Sequence, residues 1–273
     1  MAKKTRRQLF GQHFLHERRI LQKIIEAIKP EASDLILEIG PGKGVLTFPL
    51  VEKAGKVVAI EKDYALVKFL EEKRIPNLKI IAGDILAVSP GKIIKEENQG
   101  KKYKSVKLVG NLPYHISTQI LFVLLELKKQ IERAVFLFQK EVAERIVAAP
   151  GNKNYAPLSI LLQNYFDCRI LFFIKPGAFS PPPRVSSACL AFYPRPKPLI
   201  FSSDQEEKFY EFLRSCFHQR RKTLIKNLEI SGYNKENLTF ILNQMNLQAK
   251  IRAEELNPQK LFEVFQAAKS LSL

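Results

Sequence analysis

Between residues 17 and 29, apolar side chains recur at helical spacing (Ile20, Leu21, Ile24, Ile25, Ile28) and charged ones fill the opposite side. That periodicity predicts an amphipathic helix packed by one face. The pattern then changes. Short, unbroken apolar runs at 35–39, 57–60, 78–82, 106–109 and 134–138 alternate with stretches of helical character from 45 onward, at 64–73 and at 116–130. Strands that are apolar throughout, rather than every second residue, are predicted to be buried on both faces. Their alternation with helices calls for a parallel sheet. The polar and charged stretch 91–104 reads as a loop inserted before the fourth strand.

Past residue 150 the rhythm differs. A helix-like stretch at 158–165 is followed by two β-rich runs, 169–174 and 188–192, separated by Phe179-Ser-Pro-Pro-Pro-Arg-Val185. This arrangement predicts a hairpin at the edge of the sheet. Tyr193-Pro-Arg-Pro-Lys-Pro198 has the composition of a stiff linker. Beyond it the pattern is helical. Asp204 with Glu207 reads as a capping box, and Phe209, Phe212, Leu213, Cys216 and Phe217 as a buried stripe. Asn257-Pro258 opens a last helix in cap-then-proline order. The expected organisation is therefore an α/β domain over 1–198 and an all-α domain over 199–273, with no internal repeat.

Composition narrows the class of protein. A chain of 273 residues with 46% apolar content can bury a large core. No apolar run is long enough to cross a bilayer, and no secretory pattern opens the chain. The net charge of +17 points to a polyanionic partner or an acidic membrane surface. Residues 200–273 carry 11 basic and 9 acidic side chains, so +2 of that charge resides there and +15 on residues 1–199. The first domain is thus expected to do most of the gripping. The acid-poor start (Lys3, Lys4, Arg6, Arg7) has the look of a transit peptide, but a motif beginning at Gly11 leaves no room for one. Three widely spaced cysteines, without a ligand-spaced partner, read as reduced residues of a cytoplasmic protein and not as a metal site.

The candidate chemistry sits at the ends of the predicted strands. Glu38-Ile-Gly40-Pro-Gly42-Lys-Gly44 occupies the first strand-to-helix turn, where glycines let a ligand approach the backbone. Glu61 ends the second strand, placed to grip ribose hydroxyls. The spacing is G-x-G-x-G and an acid precedes it. Both features suit the adenosine and cationic sulfur of S-adenosylmethionine better than a pyrophosphate. Gly83-Asp84 ends the third strand, with a carboxylate able to accept from an adenine amino group. Asn111-Leu112-Pro113-Tyr114 ends the fourth. There an amide oxygen beside a backbone carbonyl offers two acceptors to one exocyclic amine, Pro113 stiffens the turn, and Tyr114 supplies a stacking face. Each motif alone is a common turn. Together they face the one edge where such sheets bind ligands.

With these residues the chain resembles the bacterial small-subunit (16S) rRNA adenine N6,N6-dimethyltransferases, the KsgA/RsmA family. The likeness rests on Gly11-Gln-His-Phe-Leu15, Leu37-Glu-Ile-Gly-Pro-Gly-Lys-Gly44, Asn111-Leu-Pro-Tyr114, Phe138-Gln-Lys-Glu141, Phe179-Ser-Pro-Pro-Pro-Arg-Val185 and Gln219-Arg-Arg-Lys-Thr223. It implies a Rossmann-like class I methyltransferase fold, mostly parallel and seven-stranded, with a small helical C-terminal domain that assists rRNA binding. It implies transfer of methyls from S-adenosylmethionine to N6 of two adjacent adenines in the 3′-terminal hairpin of small-subunit rRNA. The partner would be a 30S or pre-30S particle, bound by a monomer away from any membrane.

By the same resemblance, His13, Leu15, Gly40, Glu61, Asp84 and Asn111 line the cofactor site. His13 stands where many relatives carry Asn, and either can donate to a carboxylate. Asn111, Leu112, Pro113 and Tyr114 hold the target base, with Phe179 facing Tyr114 across it. Read from the residues alone, Phe179 is instead a hairpin-tip aromatic packed on the core. Arg184 replaces a more usual Lys. Lys3, Lys4, Arg6 and Arg7, and Arg220, Arg221 and Lys222, read either as phosphate contacts or as solvated basic surface. Three alternatives compete: the macrolide-resistance dimethylases acting on large-subunit RNA, an RNA-binding factor without catalysis, and an NAD-dependent dehydrogenase. Leu112 and the Phe-x-Pro-Pro-Pro loop favour the small-subunit branch, intact Asn111 and Glu61 favour catalysis, and the glycine spacing disfavours the dehydrogenase.

Overall fold

The computed structural model describes residues 13–113, 116–202 and 204–271. Lys3, Lys4, Arg6, Arg7 and Tyr114 lie outside the described residues. The chain divides into two compact units, one of residues up to Ala143 with Phe166–Pro194, the other Glu144–Tyr165 with Arg195–Leu273.

In the first unit a two-residue strand β1 (Phe14–Leu15) leads into helix α1 (Arg18–Ile28). Strand β2 (Asp34–Ile39), helix α2 (Thr47–Val51), β3 (Lys56–Glu61), helix α3 (Tyr64–Glu71) and β4 (Leu78–Ala82) follow. Helix α4 (Pro90–Glu97) precedes β5 (Ser105–Asn111), and helix α5 (Ser117–Glu126) precedes β6 (Arg133–Gln139). Every residue of β2 is buried, as expected for a strand covered on both faces. On one face Ile24, Ile25 and Ile28 of α1 pack with Ile36, Val57, Val109 and Val135 from four adjacent strands. The helix stops where Lys29 turns left-handed at φ 49°.

The seven-stranded sheet has the order β4-β3-β2-β5-β6-β9-β7, where β7 is Phe166–Ile174 and β9 is Ser187–Pro194. The first five are parallel, with Leu37 of β2 in register with Val58 on one side and Leu108 on the other. Strand β9 runs antiparallel to both β6 and β7, with a bulge between Ile170 and Phe172. The expected edge hairpin is therefore present, although β9 lies inside the sheet and β7 takes the edge. From β2 the chain builds outward to β4, then restarts at β5 on the other side. The crevice at the carboxyl ends of β2 and β5 is the switch point of the sheet.

Three expectations need correction. Residues 91–104 are not a simple loop, since α4 occupies Pro90–Glu97 and buries Ile94. Its Glu97 pairs with Lys56 and Lys79, both at 2.6 Å, so the charges that suggested a loop are ion-pair partners. The boundary at 198/199 is also different. Helix α6 (Lys140–Ile146) runs into the second unit, and helix α7 (Pro157–Tyr165) belongs to it. There Asn164 donates to the Phe201 carbonyl at 3.0 Å and accepts from the Ile200 amide at 2.8 Å, stitching α7 to the segment after the sheet. Finally, the capping box is absent. Helix α8 (Glu206–Cys216) starts with Gln205 at its cap, one residue late, and the Asp204 carboxylate accepts from the Ser202 hydroxyl instead.

The second unit continues with α9 (Leu224–Ile230), α10 (Lys235–Gln244) and α11 (Pro258–Leu271). Its core is aromatic: Phe201, Phe209, Phe212, Phe262 and Phe265 are in mutual ring contact. Asn257 caps α11 as expected, its oxygen accepting from the Lys260 amide at 2.8 Å. All three cysteines are free thiols. No helix among the described residues is long and apolar enough to cross a membrane.

Candidate active site

A cavity opens at the switch point, walled by the carboxyl ends of β2 to β5 and roofed by His13, Phe14 and Leu15. Its floor is the glycine turn after β2, with Gly40, Gly42 and Gly44 at φ 67°, 58° and 80°. At Gly42 that left-handed backbone turns the amide onto Glu61, whose Oε2 accepts from it at 3.1 Å. Glu61 Oε1 accepts from the Asp63 amide at 2.9 Å. Burial raises the Glu61 pKa, and these backbone donors hold it back. Each oxygen retains a second lone pair for a hydroxyl.

Glu38 is more extreme. It is 1% exposed, and Oε2 finds no hydrogen-bond partner among the described residues. Burial, above all, pushes its pKa up to about 8, with neighbouring Glu61 adding to the shift. Thr47 stands near enough to soften the effect, but its hydroxyl makes no bond of ordinary geometry. Glu38 is thus biased toward its neutral form and carries an unmet oxygen beside the cavity. Asp84, by contrast, is engaged: Lys62 reaches Oδ2 at 2.7 Å and the Leu86 amide reaches Oδ1 at 3.0 Å.

Asn111 ends β5. Its Nδ2 donates to the backbone carbonyl of His13 at 2.9 Å. A carbonyl only accepts, so the nitrogen must face it, and Oδ1 is the atom left to accept from a ligand. Next to it, Gly110 allows the two central strands to close up: a β-carbon there would lie 2.7 Å from the Ile39 carbonyl oxygen. The His13 ring also donates. Its Nδ1 lies 2.7 Å from the Pro181 carbonyl, tying the roof to the proline loop.

His13, Leu15, Gly40, Glu61, Asp84, Asn111, Leu112 and Pro113 all line this one cavity, so the structure brings together most of the predicted site. Phe179 is the exception. It lies in a short strand β8 (Phe179–Ser180) paired with β1, Leu15 opposite Phe179. That pairing turns the ring inward, 2% exposed, onto Leu15, Ile174 and Ala178 in the core. The ring does not line the described cavity; it packs in the core, as the residues alone suggest. Arg184 is exposed and also outside the cavity wall.

The whole arrangement has a clear counterpart among known proteins. The chain matches the family model for ribosomal RNA adenine dimethylase over residues 3–269. The chain belongs to that family. A Ribosomal RNA small subunit methyltransferase A from Xylella fastidiosa is 42% identical over 224 residues, covering 81% of this chain and 82% of the relative. One from Neisseria meningitidis is 37% identical over 261 residues, covering 95% of each. A solved dimethyladenosine transferase from Plasmodium falciparum superposes with a TM-score of 0.79 at 26% identity, over 96% of this chain and 99% of that one. This dimethylase is accordingly an S-adenosylmethionine-dependent rRNA adenine methyltransferase on a Rossmann-like class I fold.

The residues of the dimethylase fit that cofactor. A buried, unpartnered acid suits a cationic ligand, Glu61 has lone pairs for a ribose, and the left-handed glycines leave the floor bare of side chains. Among the cavity residues that the predicted site did not include are Phe14, Lys43 and Lys62, whereas Glu38 was singled out only as the acid before the glycines. Phe14 and Lys43 lie inside the motifs that carry the resemblance, so the signal was present, but which of their side chains faces the cavity depends on the pairing of β1 with β8 and on the turn after β2.

Proposed function

We propose that this dimethylase acts on small-subunit rRNA in the cytoplasm, as a monomer bound to a 30S or pre-30S particle. Its product would be two adjacent N6,N6-dimethyladenines in the 3′-terminal hairpin. The observation that supports the chemistry is the Asn111 amide, fixed by the His13 carbonyl with its oxygen left to accept. The choice of RNA rests on the names of the relatives.

S-adenosylmethionine, when bound, supplies an electrophilic methyl on a positively charged sulfur. Glu61 would hold it by ribose hydroxyls and Asp84 by the adenine amine, with His13, Leu15 and Gly40 forming the rest of the seat. The target adenine must leave its helix to enter the cavity. Its N6 lone pair is delocalised into the ring and attacks poorly. The Asn111 Oδ1 and the Leu112 carbonyl accept the two N6 hydrogens and favour the tetrahedral nitrogen that attack requires, while Tyr114 stacks on the base. No strong base is needed, because the amine becomes acidic once alkylated and loses its proton to water. Catalysis is then mainly positioning and electrostatics. The helical unit, through Arg221 and Lys222, would add phosphate contacts, as would Arg184 and the N-terminal Lys3, Lys4, Arg6 and Arg7. Arg220 is partly spoken for by Glu254 at 2.9 Å.

The test is incubation with labelled S-adenosylmethionine and 30S particles from a strain lacking this methylation, with the label mapped by primer extension. Two adjacent dimethylated adenines in the 3′-terminal hairpin are expected. Label in large-subunit RNA would overturn the choice of RNA, and RNA binding without label would overturn catalysis.

A further inference from the structure

The cavity walls bring three carboxyl groups to the ligand, from Glu38, Glu61 and Asp84. They suit a cationic sulfur and a ribose, but the amino-acid end of the same cofactor carries a carboxylate, for which they offer nothing. Three side chains on the wall can carry positive charge: His13, Lys43 and Lys62. Lys62 is paired with Asp84 at 2.7 Å, and His13, whose Nδ1 donates to the Pro181 carbonyl, has only Nε2 left to turn to a carboxylate. Lys43 makes no ion pair among the described residues. Its ammonium lies 5.4 Å from the centroid of the Phe14 ring, which is itself part of the roof. That ring stands close against the glycine turn, since a β-carbon on Gly42 would meet it at 3.0 Å. The neighbouring Gly42 amide is anchored on Glu61, so the backbone carrying Lys43 is fixed. An exposed cation over a phenyl ring is held by only about 0.5–1 kcal/mol. The ammonium is therefore parked at the cavity and can be drawn off by an anion at little cost.

We infer that Lys43 is the cationic partner of the carboxylate at the amino-acid end of the bound cofactor. This rests on the assignment of the cavity to S-adenosylmethionine. Calorimetric titration of the full chain with S-adenosylhomocysteine and with 5′-methylthioadenosine, which lacks the amino-acid end, tests both. K43M should weaken S-adenosylhomocysteine roughly two- to five-fold, the range of a part-exposed ion pair, and leave methylthioadenosine unchanged. K43R should restore the loss, and raising salt should weaken S-adenosylhomocysteine more in the wild type than in K43M. Equal weakening of both ligands would overturn the inference. So would unchanged S-adenosylhomocysteine binding with reduced affinity for rRNA, which would put the ammonium on a phosphate. A wild type that binds neither nucleoside would instead bring down the cofactor assignment itself.

Discussion

Strand β2 carries a buried acid near each end, and the two are treated oppositely. At its amino end Asp34, 2% exposed, is saturated. Lys107, equally buried, reaches Oδ2 at 2.6 Å, the Glu31 amide reaches it at 2.7 Å, and the Ser105 hydroxyl reaches Oδ1 at 2.5 Å. Lys107 also donates to the Lys29 carbonyl at 2.6 Å. At the carboxyl end Glu38 is equally buried and has an oxygen with no partner. Four residues along one strand thus separate polarity that completes itself from polarity that awaits a ligand. One end ties β2, β5 and the end of α1 together. The other keeps an unfavourable group at the cavity wall, where the cationic sulfur of the cofactor would meet it under the proposed function.

If that division is right, damage at the two ends should separate cleanly. The largest effect is expected from K107M, which strands a buried carboxylate and should cost about 3–5 kcal/mol in urea unfolding. Methylation per folded molecule should stay near wild type, and adding D34N should recover much of the loss. A K107M protein of ordinary stability would break the comparison at its firmer end. N111A should do the reverse. Turnover is expected to fall about a hundred-fold or more, as when a single positioned polar group is removed from a reaction centre. Stability should change by no more than about 1.5 kcal/mol, and cofactor affinity by a few-fold. Wild-type single-turnover rates in N111A would remove Asn111 from the mechanism.

The Glu38 carboxyl makes a subtler prediction. Raised from 4.5 to about 8, it keeps a proton in the folded chain that the unfolded chain releases between those values. Its contribution to stability is therefore full below about pH 4.5 and declines as pH rises to about 8, by a few kcal/mol at most. E38Q should abolish that decline and be the more stable protein at pH 8.5. Parallel pH profiles for the two proteins would show that Glu38 does not titrate there. Smallest of all is the proton itself. Adding S-adenosylmethionine at pH 7 should release part of one, seen as a binding enthalpy that varies with buffer. S-adenosylhomocysteine, with its uncharged sulfur, should release less, and equal release by both would argue against a role for the cationic sulfur.

How much of this was legible follows from how local each signal is. The five parallel strands announced themselves because burial on both faces leaves a short unbroken apolar run in each, such as Leu35–Leu37 of β2 and Leu108–Val109 of β5. Their order put Gly40, Glu61, Asp84 and Asn111 at one edge without any coordinates. Helix α4 was hidden because only Ile93 and Ile94 break its polar run and its acid Glu97 finds lysines on other elements. The placement of α7 in the second unit depends on Asn164 reaching Phe201, which no periodicity reveals. The inward packing of Phe179 escapes periodicity for the same reason: its strand is two residues long and exists only because β1 pairs with it. The buried Asp34–Lys107 pair had no signature at all, since two charged residues in apolar runs look like the exposed ends of strands.

The pairing of β1 with β8 also sets a schedule. His13 and Pro181 are 168 residues apart in the chain, yet their hydrogen bond fastens the roof of the cavity. Contacts of such long range form late, because the intervening chain must be ordered first. On a ribosome, α1 and the strands up to β6 can be made and packed while the segment that holds the roof down is still inside the exit tunnel. A nascent chain shorter than about 180 residues can therefore own all four strand-end motifs and still have no closed site. The roof can be fastened only once the chain has been made as far as Pro181.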